Sequence, residues 1–214
     1  MERRRGSRLL SGAVSLVLCG ATAGCGAVVI GEANPGLSAP TDAPAGDVTV
    51  VGATGEPIDV LAQNALADLE TYWDEQFPDV YGTRFEPLRG GYFSVDPSTS
   101  APGEFPDGVG CGADPREVAS NAFYCLASQS PNSDSITYDR AFLAELADGY
   151  GRFLPALVMA HEFGHAVQGR VGSPGASIAT ETQADCFAGA WTAWVAEGNA
   201  SHSQLREAEL DDLL

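Results

Sequence analysis

The chain of 214 residues has no lysine; its 11 basic residues are all arginine, set against 29 acidic ones. The net charge of −18 repels phosphate backbones and anionic headgroups, which argues against nucleic acid or a charged lipid surface as a partner. Histidine is scarce as well, with three in the whole sequence. Long apolar runs are missing: the stretch near the N-terminus, at about 15 residues, is too short for a comfortable membrane span. Core-forming residues are not lacking. A hydrophobic content of 44% with 8% aromatics fits a packed globular domain with appendages, not a disordered chain.

The first residues read as a targeting segment. "MERRRGSR" is basic, "LLSGAVSLVL" is apolar, and "ATAGC" brings small residues up to a cysteine. "TAGC" resembles a bacterial lipobox, in which Cys25 carries lipid and becomes the mature N-terminus, although Thr22 stands where leucine is usual. Ordinary cleavage nearby with Cys25 unmodified is the alternative. Both readings export the protein, and the first anchors it by lipid to the outer face of the cell membrane. Loss of residues 1–24 removes four arginines and one glutamate, which takes the charge from −18 to −21. Residues 25–57, rich in Gly, Ala, Pro and Thr, are expected to be a tether, with "DVTVV" as a candidate short strand.

The folded domain is expected over 58–214. Val60, Leu61, Ala65, Leu66, Leu69, Tyr72 and Trp73 recur every three or four residues, which predicts a core-facing helix that Pro78 stops. "GYFSV", "AFYCL" and "SITYD" have strand character. "TYDRAFLAELADGYG" opens a helical half, with Gly149 and Gly151 as a break. "RFLPALVMAHEFGHAVQGR" is the next helix, provided that Pro155 lies in its first turn. Cys111 and Cys125 predict a disulfide in an exported protein, contributing about 3 kcal/mol by the chain-entropy argument. Cys186 is the domain cysteine left over once those two pair and Cys19 leaves with the leader.

"HEFGH" holds two of the three histidines. On a helix His161 and His165 stand one turn apart on the same face, about 6 Å between Cβ atoms, so both rings can address one metal ion. Glu162 lies at the edge of that face, Phe163 turns toward the core, and Gly164 permits close approach of another segment. Glu181 follows His165 by 16 residues, enough for a turn and a return along a second helix. Asp185 shares its face and can accept the other ring N–H of a ligand histidine. Spacing alone does not decide which of these acids ligates, and a helix with both simply solvated is the blander alternative.

"HEFGHAVQ" with "ETQADCFAGAW", and "FYC" and "SITYD" upstream, resembles the bacterial neutral zinc metallopeptidase family; the Glu-x-x-x-Asp element is similar to that of the gluzincins. The resemblance covers roughly residues 58–214. It implies an α+β fold, mainly helical and zincin-like with a small β-sheet. It also implies zinc held by His161, His165 and Glu181, Glu162 as general base toward a zinc-bound water, Asp185 as the orienting acid, and a peptide or protein substrate. No third motif histidine and no following methionine support a metzincin. Members of the family usually continue with further helices beyond the point that "LREAELDDLL" reaches. "SITYD" is the candidate edge strand for an extended peptide. His202, Tyr124, Tyr138 and Tyr150 compete as oxyanion donors. Two other readings stay open: a zinc-stabilised envelope interaction lipoprotein without catalysis, and a metal-free structural lipoprotein.

Overall fold

The computed structural model describes residues 48–206, apart from 102, 127–129 and 174. The expected leader, Cys25 and the last eight residues lie outside the described residues. Elements follow as β1 (Val50–Val51), α1 (Pro57–Tyr81), β2 (Gly91–Val95), two short 3-10 turns, β3 (Ala122–Cys125), β4 (Ser135–Asp139), α2 (Arg140–Tyr150), α3 (Leu154–Val171) and α4 (Ser177–Ala196). The fold class is α+β. Among the described residues, no helix is long and apolar enough to cross a membrane.

The four-stranded sheet runs in the order β1-β2-β4-β3. β1 and β4 pair parallel to β2, while β3 pairs antiparallel to β4. The order corrects one expectation. "SITYD" is β4, an interior strand buried at every position, and so has no free edge for a peptide. The edges belong to β1 and β3. The expected tether also yields earlier than residue 58: Val48 and Val50 are in the core, and β1 is hydrogen-bonded into the sheet.

Pro78 does not stop α1. It removes one N–H from the ladder, yet the helix runs on to Tyr81 and ends where Gly82 takes a left-handed φ of 72° and donates its N–H to the Pro78 carbonyl at 2.8 Å. Gly149 likewise lies within α2, and Gly151 is its cap. Pro155 sits in the first turn of α3, where its missing N–H removes no helical bond.

Two packing features set the site. The Trp73, Phe77, Phe85 and Phe163 rings make a chain of contacts at 6.3, 5.3 and 5.5 Å, which ties α1 to the core side of α3. On the other side α3 meets α4 at Gly164: a Cβ there would stand 3.0 Å from the Ala184 backbone, so glycine permits the crossing. The buried stripe of α4, Ala184, Ala188, Trp191 and Val195, presses on the core and turns Glu181 and Asp185 outward along its exposed side. The Cys111–Cys125 disulfide is formed and braces the end of β3.

Beneath the sheet, Asp59 is 1% exposed and well provided with donors. One of its oxygens accepts from Ser94 Oγ (2.6 Å) and Tyr138 Oη (2.9 Å), and the other from Thr54 N (2.7 Å) and Thr54 Oγ1 (2.9 Å). Arg140 Nε lies 3.6 Å away and balances the charge.

Candidate metal centre

α3 carries His161, Glu162 and His165 into a cleft between β3 and the start of α4, a cavity of about 680 Å³. His161 Nε2 and His165 Nε2 stand 3.1 Å apart, and Glu181 Oε2 is 3.2 Å from the first and 3.3 Å from the second. His161, His165 and Glu181 thus meet at one point, as their spacing requires of a ligand set.

Proton bookkeeping around the rings gives this triangle its meaning. Asp185 Oδ1 lies 2.8 Å from His161 Nδ1, and a carboxylate only accepts, so that nitrogen carries the proton. His165 Nδ1 meets Gln168 Oε1 at 2.9 Å. The amide orientation follows from its other end, where Gln168 Nε2 donates to the Thr180 carbonyl at 2.7 Å and to Gln183 Oε1 at 3.0 Å. With the rings neutral, each Nε2 is then a bare lone pair. With Glu181 Oε2 they then form three acceptors around one point, an arrangement that a metal ion, or a proton on either ring, would bridge. Ligand bonds of about 2.0–2.1 Å to a tetrahedral zinc ion place donor atoms about 3.3 Å apart, and the observed edges fit that size. Nitrogen and carboxylate ligands are those zinc takes, and three of them leave a position open.

Glu162 is 8% exposed. Its Oε2 accepts the Tyr124 N–H at 2.8 Å, while Oε1 accepts no hydrogen bond among the described residues and faces the cleft. Burial pushes its carboxyl up to about 7, against the opposing pull of His165 and the Tyr124 N–H; the Glu181 charge adds to the rise. A buried acid with a free oxygen beside a metal-sized triangle is placed to take and return a proton.

Gln168 and the Tyr124 backbone were missed by sequence reasoning. Gln168 had a legible signal, since it follows His165 by three on a helix; a backbone N–H has none. Of the candidate oxyanion donors, none stands free at the cleft. Tyr124 Oη donates to Asp134 (2.7 Å), Tyr138 Oη to Asp59 (2.9 Å), and Tyr150 is an exposed residue at the end of α2. His202 lies by a separate cavity of about 350 Å³ between the starts of α1 and α3, remote from the histidine pair.

Comparison with known proteins finds partial relatives whose names state no function. It is 34% identical over 95 residues to the uncharacterized protein Mb2605 of Mycobacterium bovis, and equally to the uncharacterized proteins MT2651 and Rv2575 of two Mycobacterium tuberculosis strains. The match covers 39% of this chain and 31% of each relative, so it spans less than a third of the relatives' own length. No family profile and no solved structure matches the chain.

Proposed function

We propose that the chain is an exported zinc-dependent metallopeptidase of the neutral zinc metallopeptidase type, with a zincin-like arrangement of α3, α4 and the sheet. The observation that carries the reading is the acceptor triangle of His161, His165 and Glu181 beside the open oxygen of buried Glu162. Zinc held there supplies Lewis acidity, polarising a carbonyl and making water acidic near pH 7. Glu162 Oε1 accepts the proton of an attacking water and passes it to the leaving amine. Asp185 and Gln168 hold the two rings in the tautomer that keeps both Nε2 atoms bare. The outer edge of β3, from Asn121 to Tyr124, lines the cleft and offers backbone groups to an extended peptide. The basic and apolar leader with "TAGC" supports export and a lipid on Cys25; detergent-phase partitioning of wild type and Cys25→Ala distinguishes lipidation from plain cleavage.

Metal analysis of the purified chain, with hydrolysis of an unfolded protein substrate, tests the centre. Glu162→Gln should retain zinc and lose at least about 100-fold in turnover, because the amide cannot accept the proton. Glu181→Ala should lose tight zinc binding. Turnover near the wild-type rate in zinc-loaded Glu162→Gln rules out this mechanism. A zinc-loaded wild type that hydrolyses nothing leaves the envelope protein that uses zinc for stability alone.

A further inference from the structure

Tyr124 contributes twice to the cleft, once through its backbone and once through its ring. The N–H that reaches Glu162 points away from β4, from the outer side of the edge strand. The side chain crosses α3 and donates its hydroxyl to Asp134 Oδ1 at 2.7 Å. Arg170, five residues beyond His165 and two beyond its partner Gln168, grips the same carboxylate with Nη1 at 2.8 Å and Nη2 at 3.2 Å. Its Nη1 also donates to the Tyr124 hydroxyl at 3.3 Å, so the hydroxyl accepts from one neighbour and donates to the other. The guanidinium is held in turn by the Glu86 carbonyl at 2.8 Å and lies 4.7 Å over the Phe85 ring, which stacks on Phe163, the residue after Glu162.

We propose that Tyr124, Asp134 and Arg170 are positioning residues, a clamp that fixes the outer edge of β3 against α3 and, through the Tyr124 N–H, fixes the Glu162 carboxylate. The proposal rests on the peptidase reading for its effect on turnover, but the clamp itself does not. Two independent features favour it over ordinary packing. Asp134 is 2% exposed and keeps a left-handed φ of 59°, a strained backbone for a residue that is not glycine. A buried ion pair in strained backbone is a poor way to gain stability, and apolar residues would serve better. Gly169 is the second feature: a Cβ there would stand 2.9 Å from the Tyr124 hydroxyl, so α3 leaves room for the ring at the point where it crosses.

Tyr124→Phe removes the hydroxyl and leaves the N–H, and Gly169→Ala keeps every polar group while crowding the ring. In the full chain, amide hydrogen exchange at residue 124 should quicken about tenfold in both variants, the effect of losing roughly one hydrogen bond. Exchange in the α3 core at Phe163 and affinity for zinc alone should stay unchanged. Gly169→Ala should not lower the melting temperature, because alanine favours the helix. With a fluorescence-quenched casein substrate, kcat should fall about tenfold in both while KM moves little, and Arg170→Lys should keep more of kcat than Arg170→Ala. Wild-type exchange at residue 124 in both variants overturns the clamp. Faster exchange with kcat intact removes Glu162 from its reach. Faster exchange in a wild-type background that hydrolyses nothing leaves the clamp standing and defeats the peptidase reading alone.

Discussion

Two polar clusters in this molecule, one buried and one open to a cleft, are built to opposite rules. Around Asp59, four donor groups from Ser94, Tyr138 and Thr54 meet two carboxylate oxygens, and Arg140 supplies the opposite charge. Between α3 and α4 the balance is reversed. His161, His165 and Glu181 turn three acceptors on one point, and Glu162 keeps one oxygen without a partner. The first cluster is complete within the chain and ties α1 to the sheet. The second, on the proposed reading, is completed by a cation. A set of acceptors gathered on one point and held by neighbours that are themselves hydrogen-bonded is what the proposed function rests on.

The widest expected gap comes from removing one acid from each cluster. Asp59→Ala strands Arg140 and several donors in the interior and should cost about 3–5 kcal/mol. Glu162→Gln in metal-free protein keeps an acceptor for the Tyr124 N–H and removes a charge that burial already disfavours. Its stability should change by less than about 1 kcal/mol. Denaturant unfolding of both variants measures the difference, and equal costs would erase the distinction between the clusters.

The disulfide stands between the two regions, since Cys125 ends β3, the strand that borders the cleft and pairs with the Asp59 side of the sheet. Replacing Cys111 and Cys125 together by alanine should cost about 3 kcal/mol of global stability. Zinc affinity should be unaffected, because every ligand lies on α3 or α4. Loss of zinc together with stability would mean that the cleft depends on the sheet more closely than its ligand set suggests.

How far these clusters were legible in the sequence follows the same division. The cleft announces itself locally: two histidines four apart, a glutamate between them, and an Glu-x-x-x-Asp pair sixteen residues on. Helical periodicity is enough to put each on the right face. The strands also read correctly, because alternation and β-branched residues act over a few positions. What stayed hidden depends on long-range pairing. That β4 is interior and β3 an edge is a matter of sheet order, which no residue of "SITYD" encodes. The Asp59 cluster draws on partners as distant as Tyr138, 79 positions along, and Arg140 beyond it, so its acid looks like any other in the first turn of a helix. Pro78 misled because an internal proline costs a helix one hydrogen bond and can kink it without ending it, and here the stop is supplied by Gly82.

Within the cleft the two histidines allow a finer comparison. His165 is oriented by Gln168, 5% exposed and bound at its other end to α4, whereas His161 is oriented by Asp185, whose side chain is 71% exposed. Gln168→Ala removes a support from the ring and leaves the Thr180 carbonyl without its donor. It should cost about 1–3 kcal/mol of stability and weaken zinc binding besides. Calorimetry with zinc titration reads both, and a loss of affinity with no loss of stability would show that Gln168 does not hold the helices together.

The smallest effect is expected at Asp185. Asparagine keeps an acceptor for the His161 Nδ1–H and loses only the charge, and at a side chain so exposed water screens most of what that charge contributes. Losses of this kind of outer ligand support are generally about 10–100-fold in metal affinity. Asp185→Asn should fall at the lower end, with the fold unchanged by circular dichroism. Glu181→Ala, in the same titration, should bind zinc far more weakly, since it removes an atom of the triangle itself. The ordering tests the assignment made from geometry, in which the longer acid faces the ion and the shorter one the back of the ring. If Asp185→Asn empties the site while Glu181→Ala stays loaded, the two acids have exchanged roles, and α4 must turn by part of a helical step when the metal binds.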